Sequence, residues 1–162
     1  MACPPLDPAL EKVAPRSPRS VLFVCNENAV RSPMAEGLAK HYFRRRIFAD
    51  SVGLRTGTLD PFSVAVMAEL GIDIARHRPK TFAELKDPRF DLVISLTPEA
   101  QHHAVELARG APLAVEYWPT FDPTLVEGSR GVRMQSYREV RDALRKRIIS
   151  RFDFAKAPPK SG

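Results

Sequence analysis

Cys25 and Arg31 bracket the stretch Asn26-Glu27-Asn28-Ala29-Val30, and Ser32-Pro33 follow at once. A thiolate, not a thiol, attacks phosphorus or arsenic, and a free cysteine, with a pKa of about 8.5, is mostly protonated at neutral pH. Such a nucleophile needs groups that stabilise its anion. The backbone amides of a tight loop feeding a helix N-terminus supply partial positive charge, and Arg31 supplies a full one. Ser32 offers a hydroxyl hydrogen bond to the sulfur. The same donors would hold the oxygens of a tetrahedral oxyanion, Arg31 with a bidentate fork that lysine lacks. Cys25 is therefore the candidate nucleophile. Asn26, Glu27, Asn28, Ala29, Val30, Arg31 and Ser32 are the candidate anion-binding set. The competing reading is a core cysteine ending a strand.

The flanking residues predict how this loop is placed. Residues 21–24 are short, continuously apolar and mostly β-branched or aromatic, as in a buried parallel strand. Ser32 as cap and Pro33 as first residue predict a helix that buries Met34, Leu38 and Tyr42 and ends near Ile47. A second strand is expected over 48–53, and a loop with Asp60-Pro61 leads to a second helix that stops at Gly71. A short helix follows over 82–86, then a central strand over 90–96. Thr97-Pro98 opens the next helix. A fourth strand is expected over 111–117, and Tyr137, Val140, Leu144, Ile148 and Phe152 mark a last amphipathic helix of roughly 20 residues. Strands alternating with helices predict an α/β fold, a single three-layer domain with a four-stranded parallel sheet flanked by helices. Cys25, the Gly53 loop, Thr97 and the segment 118–123 then fall at strand carboxyl ends and face one crevice.

The 162 residues, 44% of them hydrophobic, fit one domain. We divide the chain into a proline-rich tail, 1–18, with a turn at 9–13, a domain over 19–155 and a tail over 156–162. No apolar run approaches the roughly 20 residues that span a bilayer, and no leader pattern is evident, so no membrane partner is expected. Two cysteines, Cys3 and Cys25, make no disulfide framework, and a lone reactive thiol suits the reducing cytoplasm. The formal charge of +6 comes from arginines spread over helix faces without interleaved aromatics, which argues against a nucleic-acid partner. Arg44-Arg45-Arg46 reads as a solvated helix C-terminus. His41, His77, His102 and His103 lack metal-ligand spacing, and neither a metal nor another cofactor is expected. Trp118 reads as a packing anchor.

In these motifs the chain resembles the low-molecular-weight protein tyrosine phosphatases and the arsenate reductases that share their fold. The resemblance spans about residues 19–154. It rests on Val21-Leu22-Phe23-Val24-Cys25, Asn28, Arg31-Ser32-Pro33-Met34-Ala35-Glu36, Ser51-Val52-Gly53, Gly71-Ile72-Asp73 with His77, Phe90-Asp91-Leu92-Val93-Ile94 and Asp122-Pro123. It implies that Cys25 is the nucleophile, Arg31 binds the anion, Ser32 supports the thiolate and Asn28 holds the loop's shape. It also implies that Asp122 is general acid and then base. That role suits the chemistry, because a leaving oxygen needs a proton and the covalent intermediate then needs a base.

The chain also departs from the resemblance. Glu27 stands where the phosphatases usually have glycine, bringing negative charge near the anion and resisting positive φ. Val30 replaces the second cysteine that protects their nucleophile. Thr124 and Leu125 replace the tyrosines that stack on phosphotyrosine. The segment 117–123 and the helix at 137–142 look more like the arsenate reductases, yet no cysteine follows Cys25, so an internal relay after the third strand cannot run. Within the chain only Cys3 remains to resolve an intermediate; external glutathione is the other route. Three readings follow. The first is a hydrolase acting on a phosphomonoester, either a phosphorylated protein or a small molecule, through a phosphocysteine. The second is an arsenate reductase using an external thiol, and the third a catalytically weak oxyanion-binding or regulatory protein. Inorganic phosphate, sulfate or arsenate are the expected site ligands, and the chain is expected to be a monomer or weak homodimer.

Overall fold

The computed structural model describes residues 17–153. The two tails, the turn at 9–13 and Cys3 lie outside the described residues. Four strands, β1 (Ser20–Cys25), β2 (Phe48–Gly53), β3 (Leu92–Ser95) and β4 (Ala114–Tyr117), form one parallel sheet in the order β2-β1-β3-β4. Four α-helices connect and cover them: α1 (Arg31–Phe43), α2 (Pro61–Ala68), α3 (Pro98–Ala108) and α4 (Arg130–Phe152). Single 3-10 turns occur at Phe82–Glu84 and Pro123–Leu125.

The unbroken apolar run of β1 reflects burial on both faces. Val21, Phe23 and Cys25 join the core under α1 and α4, with Leu38, Leu144 and Phe152. Leu22 and Val24 turn the other way, toward Ala100 and Ala104 of α3. Because β1 lies between β2 and β3, Cys25 ends a central strand and is itself only 3% exposed. Trp118, just past β4, is buried against Phe23 and Phe152 at centroid distances of 6.2 and 6.4 Å, an anchor of the core as expected.

Several boundaries differ from the sequence reading, each for a local reason. Helix α1 begins at Arg31 with no side-chain cap, because the Ser32 hydroxyl is turned toward Cys25 instead of capping. It ends at Phe43, short of Ile47, where the amide of Arg46 returns to the Phe43 carbonyl and leaves Arg44-Arg45-Arg46 exposed. Asp60-Pro61, read as loop, starts α2: the Asp60 carboxylate accepts from the Phe62 amide, and proline sits at the first helical position. Strand β3 is shorter than 90–96, because Asp91 is engaged outside the ladder by the Arg19 amide and Ser20. Strand β4 starts at Ala114 rather than 111, since 109–113 form the turn after α3. The segment 82–86 shrinks to one 3-10 turn, and α4 starts earlier than its apolar period and runs 23 residues. Part of the positive charge is paired, in places within the protein rather than in solvent. Arg138 and Arg141 of α4 both bond Glu69 and hold its carboxyl below the usual carboxylate range, while Arg151 bonds Glu116.

Candidate active site

The loop 26–30 hangs from the segment that follows β2. The Leu54, Arg55, Gly57 and Asp60 amides donate to the carbonyls of Cys25, Asn26, Glu27 and Ala29 at 3.2, 3.0, 2.9 and 3.0 Å. With those carbonyls drawn away, the amides of Glu27, Ala29 and Val30, for which no acceptor occurs among the described residues, are available to an anion. The approach of the two segments requires Gly53. A β-carbon there would lie 2.5 Å from the Arg55 carbonyl oxygen and 2.7 Å from the Asn28 nitrogen.

Asn28 is the one described non-glycine residue with positive φ, at 55°. The left-handed corner of the loop thus falls on an asparagine, which tolerates it, and not on Glu27, so the backbone cost expected at Glu27 does not arise. Asn28 is fully buried and its bonds can be given directions. The Lys80 amide can only donate, so Asn28 Oδ1 accepts from it at 3.0 Å. Nδ2 then donates to both Ser32 Oγ and Ser51 Oγ, each at 2.9 Å. Ser51, already accepting, donates to Glu36 Oε1 at 2.6 Å. Ser32, likewise accepting, has its proton free for Cys25 Sγ at 2.8 Å; the alternative acceptor, the Val52 carbonyl, is at 3.5 Å. The bond network therefore aims a donor at the sulfur.

His77 closes the far end. Its Nε2 lies 2.9 Å from Asn28 Oδ1 and, facing an acceptor, carries the proton; Nδ1 is 3.8 Å from Glu36 Oε1. Burial pushes the imidazole's pKa below its ordinary value, with the Glu36 carboxylate pulling the other way. His77 thus joins the bond network behind the loop, largely buried and away from the cavity lining. Glu36, Ser51 and Lys80 received no role from the sequence, since their connection to Cys25 exists only once separate elements are brought together.

Arg31, at the start of α1, donates from Nη1 to the Thr120 carbonyl at 3.0 Å, and its Nη2 is 3.8 Å from Asp122 Oδ2. This brings Asp122 from the far end of the sheet to the cysteine loop. Its other oxygen, Oδ1, accepts from the Thr124 amide and hydroxyl at 3.0 and 2.7 Å, which opens the turn Pro123–Leu125. Between the two loops lies a cavity of about 170 Å³ lined by Cys25, Arg31, Asp122 and the loop residues Asn26, Glu27, Ala29 and Val30. Asn28 and Ser32 stand behind that wall with their side chains in the bond network. Asn26 is braced by Thr97, whose hydroxyl donates to Oδ1 at 2.7 Å. Arg55, which the sequence reading missed, also lines the cavity; its Nε is 3.9 Å from Glu27 Oε1 and partly offsets that charge. No cluster of His, Cys, Asp and Glu suited to a metal occurs among the described residues.

A central parallel strand ending in a cysteine, a loop that turns its carbonyls away, and an arginine shared with an acid loop define the class of thiol-based oxyanion enzymes. The chain belongs to the low molecular weight phosphotyrosine protein phosphatase family, which it matches over residues 20–152. It is 32% identical over 130 residues to an arsenate reductase of Halalkalibacterium halodurans, covering 79% of this chain and 91% of that one. It is also 32% identical over 133 residues to the glutaredoxin arsenate reductase of Synechocystis sp., covering 80% and 93%. A solved arsenate reductase in the phosphate binding state superposes with a TM-score of 0.66 at 28% identity, covering 84% of this chain and 98% of the other. The low molecular weight protein tyrosine phosphatase of T. tengcongensis shares the fold, with a TM-score of 0.67 at 24% identity and coverage of 85% and 99%. The family is one of enzymes, and the two relatives above carry the name of the reductase, not of the hydrolase that the sequence reading put first.

Proposed function

We propose that this protein is an arsenate reductase that draws its electrons from an external thiol. The observation that carries a thiol-based reaction is the 2.8 Å approach of the Ser32 hydroxyl to Cys25 Sγ, with the serine proton directed at the sulfur. The curated reductases that resemble this chain favour arsenate as the oxyanion. Cys25 attacks arsenic(V) held by the loop amides and Arg31, and one arsenate oxygen leaves as water with a proton from Asp122. An external thiol then attacks Cys25 Sγ. The sulfur–arsenic bond breaks, its electron pair stays on arsenic as arsenite, and a mixed disulfide forms. A second thiol releases Cys25 as the free thiol and departs as the oxidised disulfide. Two thiols are oxidised for each arsenic reduced. Cys25 is the one cysteine among the described residues, which favours an external source over an internal relay. Such a cycle suits the reducing cytoplasm.

A second reading, hydrolysis of a phosphomonoester, is favoured by exposed apolar side chains on the Asp122 segment. Phe121 precedes Asp122 and Leu125 ends its turn; 59% and 71% exposed, they offer apolar surface to an organic leaving group. Arsenite formation with glutathione and release of an aryl alcohol from an aryl phosphate, each measured for the wild type and Cys25→Ser, separate the readings. Expected is thiol-dependent arsenite formation lost in Cys25→Ser. Cys25-dependent aryl phosphate hydrolysis without arsenate turnover would replace this reading with the second.

A further inference from the structure

A second cleft, of about 490 Å³, opens between α1 and the segment 71–77 and shares no lining residue with the active-site cavity. Its walls carry Lys40, His41 and Arg44 from α1 and Arg76 from the facing segment. Arg44 and Arg76 are exposed, and no described carboxylate pairs with either. Lys40, half-exposed, is held only by Glu36 on the floor. The other acid in the cleft, Asp73, accepts from the Ala75 amide within its own turn. Gly37 lets the two walls approach at the base of the cleft: a β-carbon there would lie 2.8 Å from Ile74 Cγ2, so the missing side chain allows the facing segment to pack onto α1. Cations from two elements thus line a concave polar cleft of about 490 Å³, against about 170 Å³ for the oxyanion cavity.

We infer that this cleft is a second anion site that binds a small phosphate-bearing ligand with more than one anionic group. Arginine forks from opposite walls suit two phosphate groups, and a single tetrahedral anion would leave much of the cleft unfilled. The floor residues Glu36 and His77 are also the outer end of the network that reaches Cys25, so a ligand there competes for Lys40 next to the residues supporting the nucleophile.

Calorimetric titration with pyrophosphate tests the inference without using turnover, so its outcome is independent of the arsenate reading. Arg31→Ala removes the principal cation of the active-site cavity and isolates the second cleft. Expected is saturable binding of one pyrophosphate per chain by Arg31→Ala, with orthophosphate weaker. Adding Arg44→Ser and Arg76→Ser, both at exposed positions, should weaken it by about tenfold or more, the scale of losing charge-assisted bonds. Absence of binding to Arg31→Ala, or equal binding with and without the two surface arginines, would overturn it. Circular dichroism of each variant confirms that the comparison is made between folded proteins.

Discussion

On one side of the active-site cavity the cysteine loop is tied by its carbonyls to the segment after β2 and by Asn28 to Ser32, Ser51, His77 and Lys80. On the other side Asp122 is bonded within its own turn, to Thr124, and meets the opposite wall only through Arg31 at 3.8 Å. Asn28 and Ser32 are fully buried, whereas Phe121 and Leu125 beside Asp122 are largely exposed. In the proposed reaction Cys25 is therefore a nucleophile whose donors are already in place, and Asp122 an acid held by fewer contacts to its surroundings. Strength of attachment follows what each group must do. A sulfur anion needs its donors fixed in advance, and a proton donor has to follow an oxygen that moves away.

Substitutions on the two sides should accordingly fail in different ways. The largest effect on rate is expected from Asp122→Asn, which preserves size and loses the proton. It should slow turnover by about 10²- to 10⁴-fold, the range for removal of a general acid or base. Its thermal stability and oxyanion affinity should change little, and a marked loss of stability would show that the acid turn is a structural element after all.

Asn28→Ala should act in the opposite manner, costing on the order of 2–4 kcal/mol in denaturant unfolding as well as activity. It strands buried partners of the amide and leaves at positive φ a β-carbon without the short polar side chain that makes asparagine tolerant there. Asn28→Gly relieves only the backbone and should recover about 1 kcal/mol of that loss. Equal stabilities for the two variants would remove the left-handed conformation from the explanation.

The smallest effect is the pH dependence set by His77, whose folded-state pKa is lowered mainly by burial. The unfolded chain takes up the histidine proton first on acidification, so this residue's contribution is present above about pH 6.5 and declines as pH falls below it. In His77→Gln that limb of the stability profile should flatten. A wild-type profile without it would mean that the imidazole is charged within the fold.

The strand, the loop and the helix start around Cys25 were legible because their signals are local: an apolar run, a cysteine and Arg-Ser-Pro in direct succession. The sheet order, by contrast, needed the chain's return paths, and strand ends shifted where Asp91 bonds outside the ladder. The start of α2 was hidden because Asp60-Pro61 is equally a turn signal and a cap with a first-turn proline. The start of α4 was hidden because Arg130 to Gln135 carry no apolar period. Ser32 was read both as a cap and as a donor to the sulfur; its hydroxyl lies 2.8 Å from Cys25 Sγ, and no side chain caps α1. Glu36 and Ser51 stood inside quoted motifs without a role of their own, and Lys80 and Arg55 in none; only folding brings the four to the loop.

Peptide mass spectrometry after a single turnover with arsenate and glutathione, quenched by alkylation, tests most directly that Cys25 is the reacting thiol. A glutathione mixed disulfide on the peptide containing Cys25, formed only when arsenate is present, is the expected result. An adduct confined to Cys3, or one that forms on Cys25 equally without arsenate, would contradict it.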